Sequence, residues 1–115
     1  MWIFLNDSFL SIVADRDQPN SLMVRARIRG DIERVFPGYD VVETPSADYA
    51  FRATIPRRIV AGRLAAYAAS IGYDNFKDSV ADYARHDAYI GVWTTMHRYG
   101  ASAGRARTAA VKRPA

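Results

Sequence analysis

The chain has 115 residues, of which 50% are hydrophobic and 24% charged, and this composition is typical of one folded domain rather than of a disordered chain. It contains no cysteine, which excludes a disulfide framework, a thiolate metal site and a cysteine nucleophile. The formal net charge of +4 comes from the C-terminal end, which carries Arg105, Arg107, Lys112 and Arg113 and no acidic residue. Because residues 1–99 are formally neutral, overall charge is no argument that the folded part binds nucleic acid.

The N-terminal residues do not have the pattern of a targeting or membrane segment. The apolar run Met1–Leu5 is short and lacks the basic start of a signal peptide. No stretch reaches the roughly 20 apolar residues that a membrane-spanning helix needs. We therefore expect a cytoplasmic protein without a membrane partner.

The first elements in chain order are predicted strands. Residues 2–5 and 8–13 are rich in aromatic and branched side chains and flank the polar pair Asn6-Asp7, which predicts a β-hairpin. Residues 22–29 alternate strictly and predict a strand with one face toward the core. Its two faces are Leu22, Val24, Ala26 and Ile28 on one side, and Met23, Arg25, Arg27 and Arg29 on the other.

A short helix, two strands and a long helix are predicted next. Residues 31–36 have helical spacing, with Asp31 suited to the helix start. Strands are predicted at 39–44 and at 49–55, the second with Tyr49, Phe51, Ala53 and Ile55 inward. The apolar spacing then becomes helical over residues 56–71.

The C-terminal part is predicted to contain an irregular segment, a last helix and a tail. A short helix is expected around residues 75–83 and a longer one over 87–99, with Asp87 as its N-cap and Gly100 as its end. The predicted organisation is one domain at 1–99 and a flexible basic tail at 100–115.

These elements predict an α+β fold, with a mainly antiparallel sheet of about four to five strands and two to three helices packed on one face. Over residues 22–71 the order is strand, helix, strand, strand, helix. This is the beginning of a ferredoxin-like split βαβ arrangement.

The arginine face of the third predicted strand is the main candidate binding surface. On a strand, Arg25, Arg27 and Arg29 would project from one side about 6.6 to 6.8 Å apart. Arg52 would join them if the strand at 49–55 is a neighbour. Guanidinium groups form bidentate bonds to phosphate, so the row predicts binding to nucleic acid or to an acidic protein.

Other residues modify this hypothesis or offer an alternative to it. Tyr39, Tyr49 or Met23 could add stacking or apolar contact beside the arginines. The alternative is a solvated strand face whose arginines cover the sheet with their stems and pair with Asp31, Glu33 or Glu43. Arginine outnumbers lysine 14 to 2 in this chain, which makes such a cluster easier to obtain without a function.

A second candidate is the series Asp74, Asp78, Asp82 and His86, spaced four residues apart. On one continuous helix they would form a column of ligands for Mg²⁺ or Mn²⁺, as in a metal-dependent phosphodiesterase or nuclease. Like charges at this spacing destabilise a helix, so the alternative is that the aspartates cap and solvate a loop. We therefore predict that these aspartates cap and solvate a loop, and that the protein binds no metal or other cofactor.

The last predicted helix offers weaker signals. His86-Asp87 could form a catalytic pair, but no nucleophile is assigned by spacing, and we predict no catalytic residue. His97 fits a histidine on the helix flank near its C-terminal dipole. Trp93 and Met96 lie on a stripe that is core by default or, if exposed, pairs two copies in a structural homodimer.

Four segments, MWIFLNDSFLSIV, RGDIERVFPG, NFKDSV and RHDAYIGVW, resemble a family of short conserved proteins of bacteria and their mobile elements. Together they span most of residues 1–99. The resemblance implies no catalytic residue. A mobile-element setting implies an accessory or inhibitor of a nucleoprotein machine, including host-defence complexes such as those of CRISPR.

Overall fold

The computed structural model describes the backbone of residues 1–112 and the side chains of residues 1–105. Two compact units divide between Asp74 and Asn75. The first contains strands and two helices: β1 (Trp2–Phe4), β2 (Phe9–Ala14), β3 (Ser21–Ala26), α1 (Asp31–Val35), β4 (Val42–Glu43), β5 (Phe51–Pro56) and α2 (Arg57–Ala69). The second contains a 3₁₀ turn (Lys77–Ser79) and α3 (Tyr83–Lys112). The predicted α+β class is confirmed, with a five-stranded antiparallel sheet and three α-helices in the described part of the chain.

The sheet has the strand order β1-β2-β3-β5-β4, and each neighbouring pair is antiparallel. The predicted hairpin is confirmed, because Leu5 N–H donates to the Ser8 carbonyl at 2.8 Å and closes the turn at Asn6-Asp7. β3 and β4 both run antiparallel to β5, which lies between them. The segment from β3 to β5 therefore has the split βαβ arrangement.

One face of the sheet forms the core with α1 and α2. The alternating pattern of β2, β3 and β5 places every second side chain on this face, and each buried aliphatic side chain contributes about 1.5 to 3 kcal/mol. The strands supply Leu10, Ile12, Val24, Ala26, Phe51, Ala53 and Ile55. The remaining core side chains are Ile32, Val35, Phe36 and Val60.

The third strand is shorter than predicted. It ends at Ala26 rather than Arg29, and Ile28 is 55% exposed instead of lying in the core. If the β2–β3 register continued, Phe9 would face Arg27; instead, the Phe9 N–H donates to Asp31 Oδ2 at 3.0 Å. Gly30, with φ of 93°, then permits the sharp entry into α1. The buried carboxylate of Asp31 thus accepts the N–H that would otherwise form the next hydrogen bond between β2 and β3.

The last helix is much longer than predicted. Its first residue is Tyr83, and Asp82 rather than Asp87 caps it, since Asp82 Oδ2 accepts the Arg85 N–H at 2.8 Å. α3 continues through Gly100 to Lys112. One glycine costs a helix only about 1 kcal/mol, and the alanines that follow favour helix.

The predicted boundary between domain and tail, at residues 99 and 100, falls inside α3. Most of the segment predicted to be a flexible tail is helical, and residues 113–115 lie outside the described part of the chain. None of the described helices combines the length and the apolar character needed to cross a membrane.

Candidate nucleic-acid interface

The face of the sheet opposite α1 and α2 carries the candidate site, and we call it the open face. The strand registers place the same row of side chains across all five strands, from Trp2 through Ser11, Arg25 and Arg52 to Val42. The open face includes Trp2, Phe4, Phe9, Ser11, Val13, Ser21, Met23, Arg25, Val42, Arg52, Thr54 and Pro56.

Arg25 lies at the centre of the open face and is held in position by its neighbours. Its Nη2 donates to Ser11 Oγ at 2.6 Å, and Ser11 is buried at 1% exposure. Its Nε is buried without a hydrogen-bond partner. Part of this guanidinium is thus fixed by the sheet, and its hydrogen-bonding capacity is incompletely used.

Tyr49 is enclosed by two arginines and is not free to stack on a ligand. The Arg25 and Arg27 guanidinium carbons lie 4.5 and 4.2 Å from the centre of its ring. Tyr49 is only 6% exposed, yet it is not part of the core cluster. The ring instead acts as a spacer that orients Arg25 and Arg27 by cation–π contact. The burial of its ring does not favour Tyr49 among the three residues suggested to add stacking or apolar contact.

Arg27 and Arg29 lie beyond the end of β3, so the predicted strand-phased row of three arginines is wrong. Arg27 Nη1 pairs with Asp48 Oδ1 at 2.7 Å, and Arg29 Nη2 pairs with Glu43 Oε2 at the same distance. The Arg27 guanidinium lowers the pKa of Asp48, and Asp48 raises the pKa of Arg27. Both pairs are exposed and contribute little to stability, so a stronger anion can displace the carboxylates.

Arg52 joins the site, as predicted for a neighbouring strand. It lies directly opposite Arg25 in the β3–β5 register, and its Nε donates to the Tyr49 carbonyl at 3.3 Å. Two like charges in this arrangement destabilise a sheet. Within the described residues, neither Arg25 nor Arg52 pairs with a carboxylate. The centre of the open face therefore carries two arginines without an ion pair of their own, and the nearby Asp48 carboxylate, whose pKa they help to lower after Arg27, balances their charge only in part.

Three aromatic side chains extend the open face beyond the arginines. Phe9 packs against Phe4 with ring centres 4.7 Å apart, and its ring centre lies 6.3 Å from that of Trp2, with the two ring planes at 75°. Trp2 is 66% exposed. Sequence reasoning missed this cluster, because alternation within a hairpin does not tell which of its two faces turns toward the core. The β2–β3 register, together with the burial of Leu10 and Ile12, places the cluster on the open face.

A shallow groove of about 580 Å³ lies beside Arg52. Met23 and Thr54 of the open face form part of its wall, so one predicted apolar contact, Met23, does lie near an arginine. The predicted contact Tyr39 also lines this groove. The groove offers space next to Arg52 for a group larger than a single phosphate.

The acidic series does not form the column that a metal site would require. Asp74 belongs to the first unit, Asp78 to the 3₁₀ turn, Asp82 to the cap of α3 and His86 to its first turn. The continuous helix needed to align them is absent from this described segment. In the part of the chain with described side chains, no three His, Asp or Glu residues are placed to hold a metal ion.

The remaining residues of interest lie on α3. Asp87 is inside the helix rather than at its cap, and the His97 ring stacks on Trp93 with centres 4.9 Å apart. Trp93 is 49% exposed and Met96 is 58% exposed, so these two side chains are not core residues.

No protein-family model, curated protein or solved structure matches this chain.

Proposed function

We propose that this is a cytoplasmic, non-enzymatic protein that binds nucleic acid, free or within a nucleoprotein complex, through the open face of its sheet. Arg25 and Arg52 bind phosphate, and Arg27 and Arg29 contribute where the ligand displaces their partners Asp48 and Glu43. The observation that carries the proposal is the opposed Arg25–Arg52 pair, which lacks a carboxylate partner among the described residues.

The local charge favours an anionic ligand although the unit as a whole is neutral. Nine basic and nine acidic residues cancel within Met1–Asp74. At the site, four arginines face only two carboxylates, Asp48 and Glu43. A phosphate between Arg25 and Arg52 would relieve their mutual repulsion, and charge-assisted bonds to phosphate are among the stronger ones available to a protein surface.

The arrangement also limits how far the protein can distinguish one nucleotide sequence from another. Arginine contacts to phosphate position a nucleic acid without carrying sequence information. The proposed binding is therefore tolerant of sequence and sensitive to salt. The resemblance to proteins of mobile elements adds host-defence nucleoprotein complexes, such as those of CRISPR, to the proposed partners.

The salt dependence of binding tests this proposal. A labelled thymidine oligonucleotide is titrated with the protein at several salt concentrations, and binding is followed by fluorescence anisotropy. For single strands, each neutralised phosphate contributes a slope of about −0.7, so two arginines predict about −1.4 and four predict about −2.8. No binding at low salt, or a slope near zero, would reject the proposal.

The basic residues of α3 require a control, because they too attract polyanions. Replacing Arg105 and Arg107 by glutamine removes two charges from that segment. The slope attributable to the open face should remain in this variant. Loss of the whole slope would assign the binding to α3 instead.

A structural homodimer is the second candidate function, and the exposed stripe on α3 favours it. Val92, Met96 and Tyr99 are 40%, 58% and 65% exposed, and their spacing of four and three residues is that of a coiled-coil seam. Two copies of α3 could bury this stripe against each other.

Light scattering over a range of protein concentrations tests the homodimer. A dimer requires the mass to double with concentration, and replacing Met96 by glutamate should then keep the protein monomeric. A constant monomer mass for the unmodified protein would exclude this function.

A further inference from the structure

We propose that the nucleic acid bound by the open face is single-stranded, with bases stacked on Trp2 and Phe9 and phosphates held by Arg25 and Arg52. This inference rests on the proposed function and names its ligand class. DNA and RNA strands share the chemistry on which it depends, namely flat bases on a charged backbone.

The aromatic cluster has the form of a stacking platform. Phe4 lies nearly parallel to Phe9, at 28°, and supports it from one side, while Trp2 meets Phe9 edge to face at 75°. Trp2 is the most exposed large aromatic side chain on this sheet, at 66%. An exposed indole on a regular strand is presented rigidly, so a base can stack on it with little loss of side-chain entropy.

Trp2 occupies the same row of the sheet as the arginines, and Phe4 and Phe9 form the neighbouring row. Trp2 faces Ser11 across the β1–β2 pair, Ser11 faces Arg25, and Arg25 faces Arg52. With strands about 4.8 Å apart, the Trp2 backbone lies roughly 10 Å from that of Arg25 and roughly 14 Å from that of Arg52. Long side chains readily close such distances, so one strand of nucleic acid can contact both the rings and the guanidinium groups.

This combination selects a single strand over a duplex. Bases in a duplex are stacked on each other and have no free face for Trp2, whereas an unpaired strand can turn its bases onto protein rings. Aromatic rings on an antiparallel sheet beside cationic side chains are a general solution for binding such strands. Phosphate contacts alone would make no use of an exposed tryptophan.

Fluorescence of Trp2 tests the inference directly. The chain has two tryptophans, so replacing Trp93 by phenylalanine leaves Trp2 as the sole indole emitter. Titration of this variant with a thymidine or a uridine oligonucleotide should quench its emission. Either strand type supports the inference, and absence of quenching by both overturns it.

Substitutions at Trp2 give an independent measure. Trp2→Ala should weaken binding of the labelled oligonucleotide about 5-fold to 140-fold, the equivalent of one lost base stack, while Trp2→Phe should recover most of the affinity. Tyr83→Ala, which removes an 80% exposed ring from α3, is the matched control and should change nothing. Circular dichroism of Trp2→Ala verifies that the sheet is intact.

Heparin is a polyanion without bases, so its binding distinguishes base stacking on Trp2 from the proposed anion binding by Arg25 and Arg52. Replacing Arg25 and Arg52 by glutamine should weaken binding of both heparin and oligonucleotide, whereas Trp2→Ala should weaken only the oligonucleotide. Unchanged oligonucleotide binding by Trp2→Ala, or equal competition by duplex and single strand, overturns the single-strand inference and leaves the phosphate site standing. If the unmodified protein binds neither polyanion, both fall.

Discussion

Glutamine at positions 25 and 52 together is expected to weaken oligonucleotide binding by at least about 100-fold, because each arginine supplies charge-assisted bonds to phosphate of about 1.5 to 3 kcal/mol. Glutamine keeps most of each aliphatic stem on the sheet and removes the charge and the forked donor. The measurement is fluorescence anisotropy of a labelled oligonucleotide at constant salt.

Two further variants decide whether this loss is specific to the site. Arg16 and Arg58 are exposed arginines outside the open face, and replacing both by glutamine removes the same charge. An equal loss of affinity in that control would mean that only net charge matters. Lysine at positions 25 and 52 keeps the charge without the bidentate geometry, so it should restore only part of the affinity.

The stability of the glutamine double variant provides an internal check. Arg25 and Arg52 repel each other in their directly opposed register, so removing both charges should leave the free energy of unfolding unchanged or raise it by up to about 1 kcal/mol. Urea denaturation measures this. A strongly destabilised double variant would show that the pair serves the fold, through Ser11 and Tyr49, rather than a ligand.

Much of the fold could be predicted from the residues because its signals are local. The alternation of Phe51, Ala53 and Ile55 and the change to helical spacing at Arg57 both follow from the two side-chain periods. The ends of strands and helices depend on contacts between distant residues that compete with the regular hydrogen bonds, and the sequence does not reveal these contacts. β3 stops at Ala26 because Asp31 takes the N–H of Phe9, and this contact joins residues 22 positions apart.

The candidate site was predictable only in part, for a related reason. Alternation along β3 and β5 places Arg25 and Arg52 on the side of each strand that faces away from the core, so their positions could be predicted from the sequence. Arg27 has the same parity, yet its direction is set by Asp48 and Tyr49, which belong to a loop. Trp2 and Phe9 could be assigned to the open face only from the β2–β3 register, which no local pattern specifies.

Asp31→Ala is expected to destabilise the protein by about 1.5 to 3 kcal/mol, a large fraction of the total stability of a small domain. Asp31 is fully buried at 0% exposure, and its carboxylate accepts bonds from the Phe9 N–H and from Arg34 Nη2. Removing it leaves the Phe9 donor without this acceptor and breaks an ion pair that is buried on one side. The measurement is the free energy of unfolding in urea.

Companion variants separate the bond to the Phe9 N–H from the ion pair with Arg34. Asp31→Asn keeps an oxygen that can accept the Phe9 N–H but loses the charge opposite Arg34, so its cost should be intermediate. Arg34→Met removes the ion pair together with the bond from Arg34 Nε to the Asp7 carbonyl, so a double-mutant cycle between positions 31 and 34 is needed to give their coupling energy. A cost below about 1 kcal/mol for Asp31→Ala would contradict the conclusion that this carboxylate holds β2 to the start of α1.

Asp31 also connects the core of the domain to the proposed binding site. Asp31 lies at the start of α1, on the core side of the sheet, while the Phe9 backbone that it holds presents its ring on the open face. Loss of the bond should therefore loosen β2 beside Phe9 before the rest of the sheet opens. In Asp31→Ala, measured where the protein is still folded, we expect weaker oligonucleotide binding with heparin binding retained, because the Phe9 N–H has lost this acceptor and the aromatic platform is disturbed, whereas Arg25 and Arg52 are not. Equal weakening of both ligands would show that the carboxylate supports the whole sheet rather than this platform.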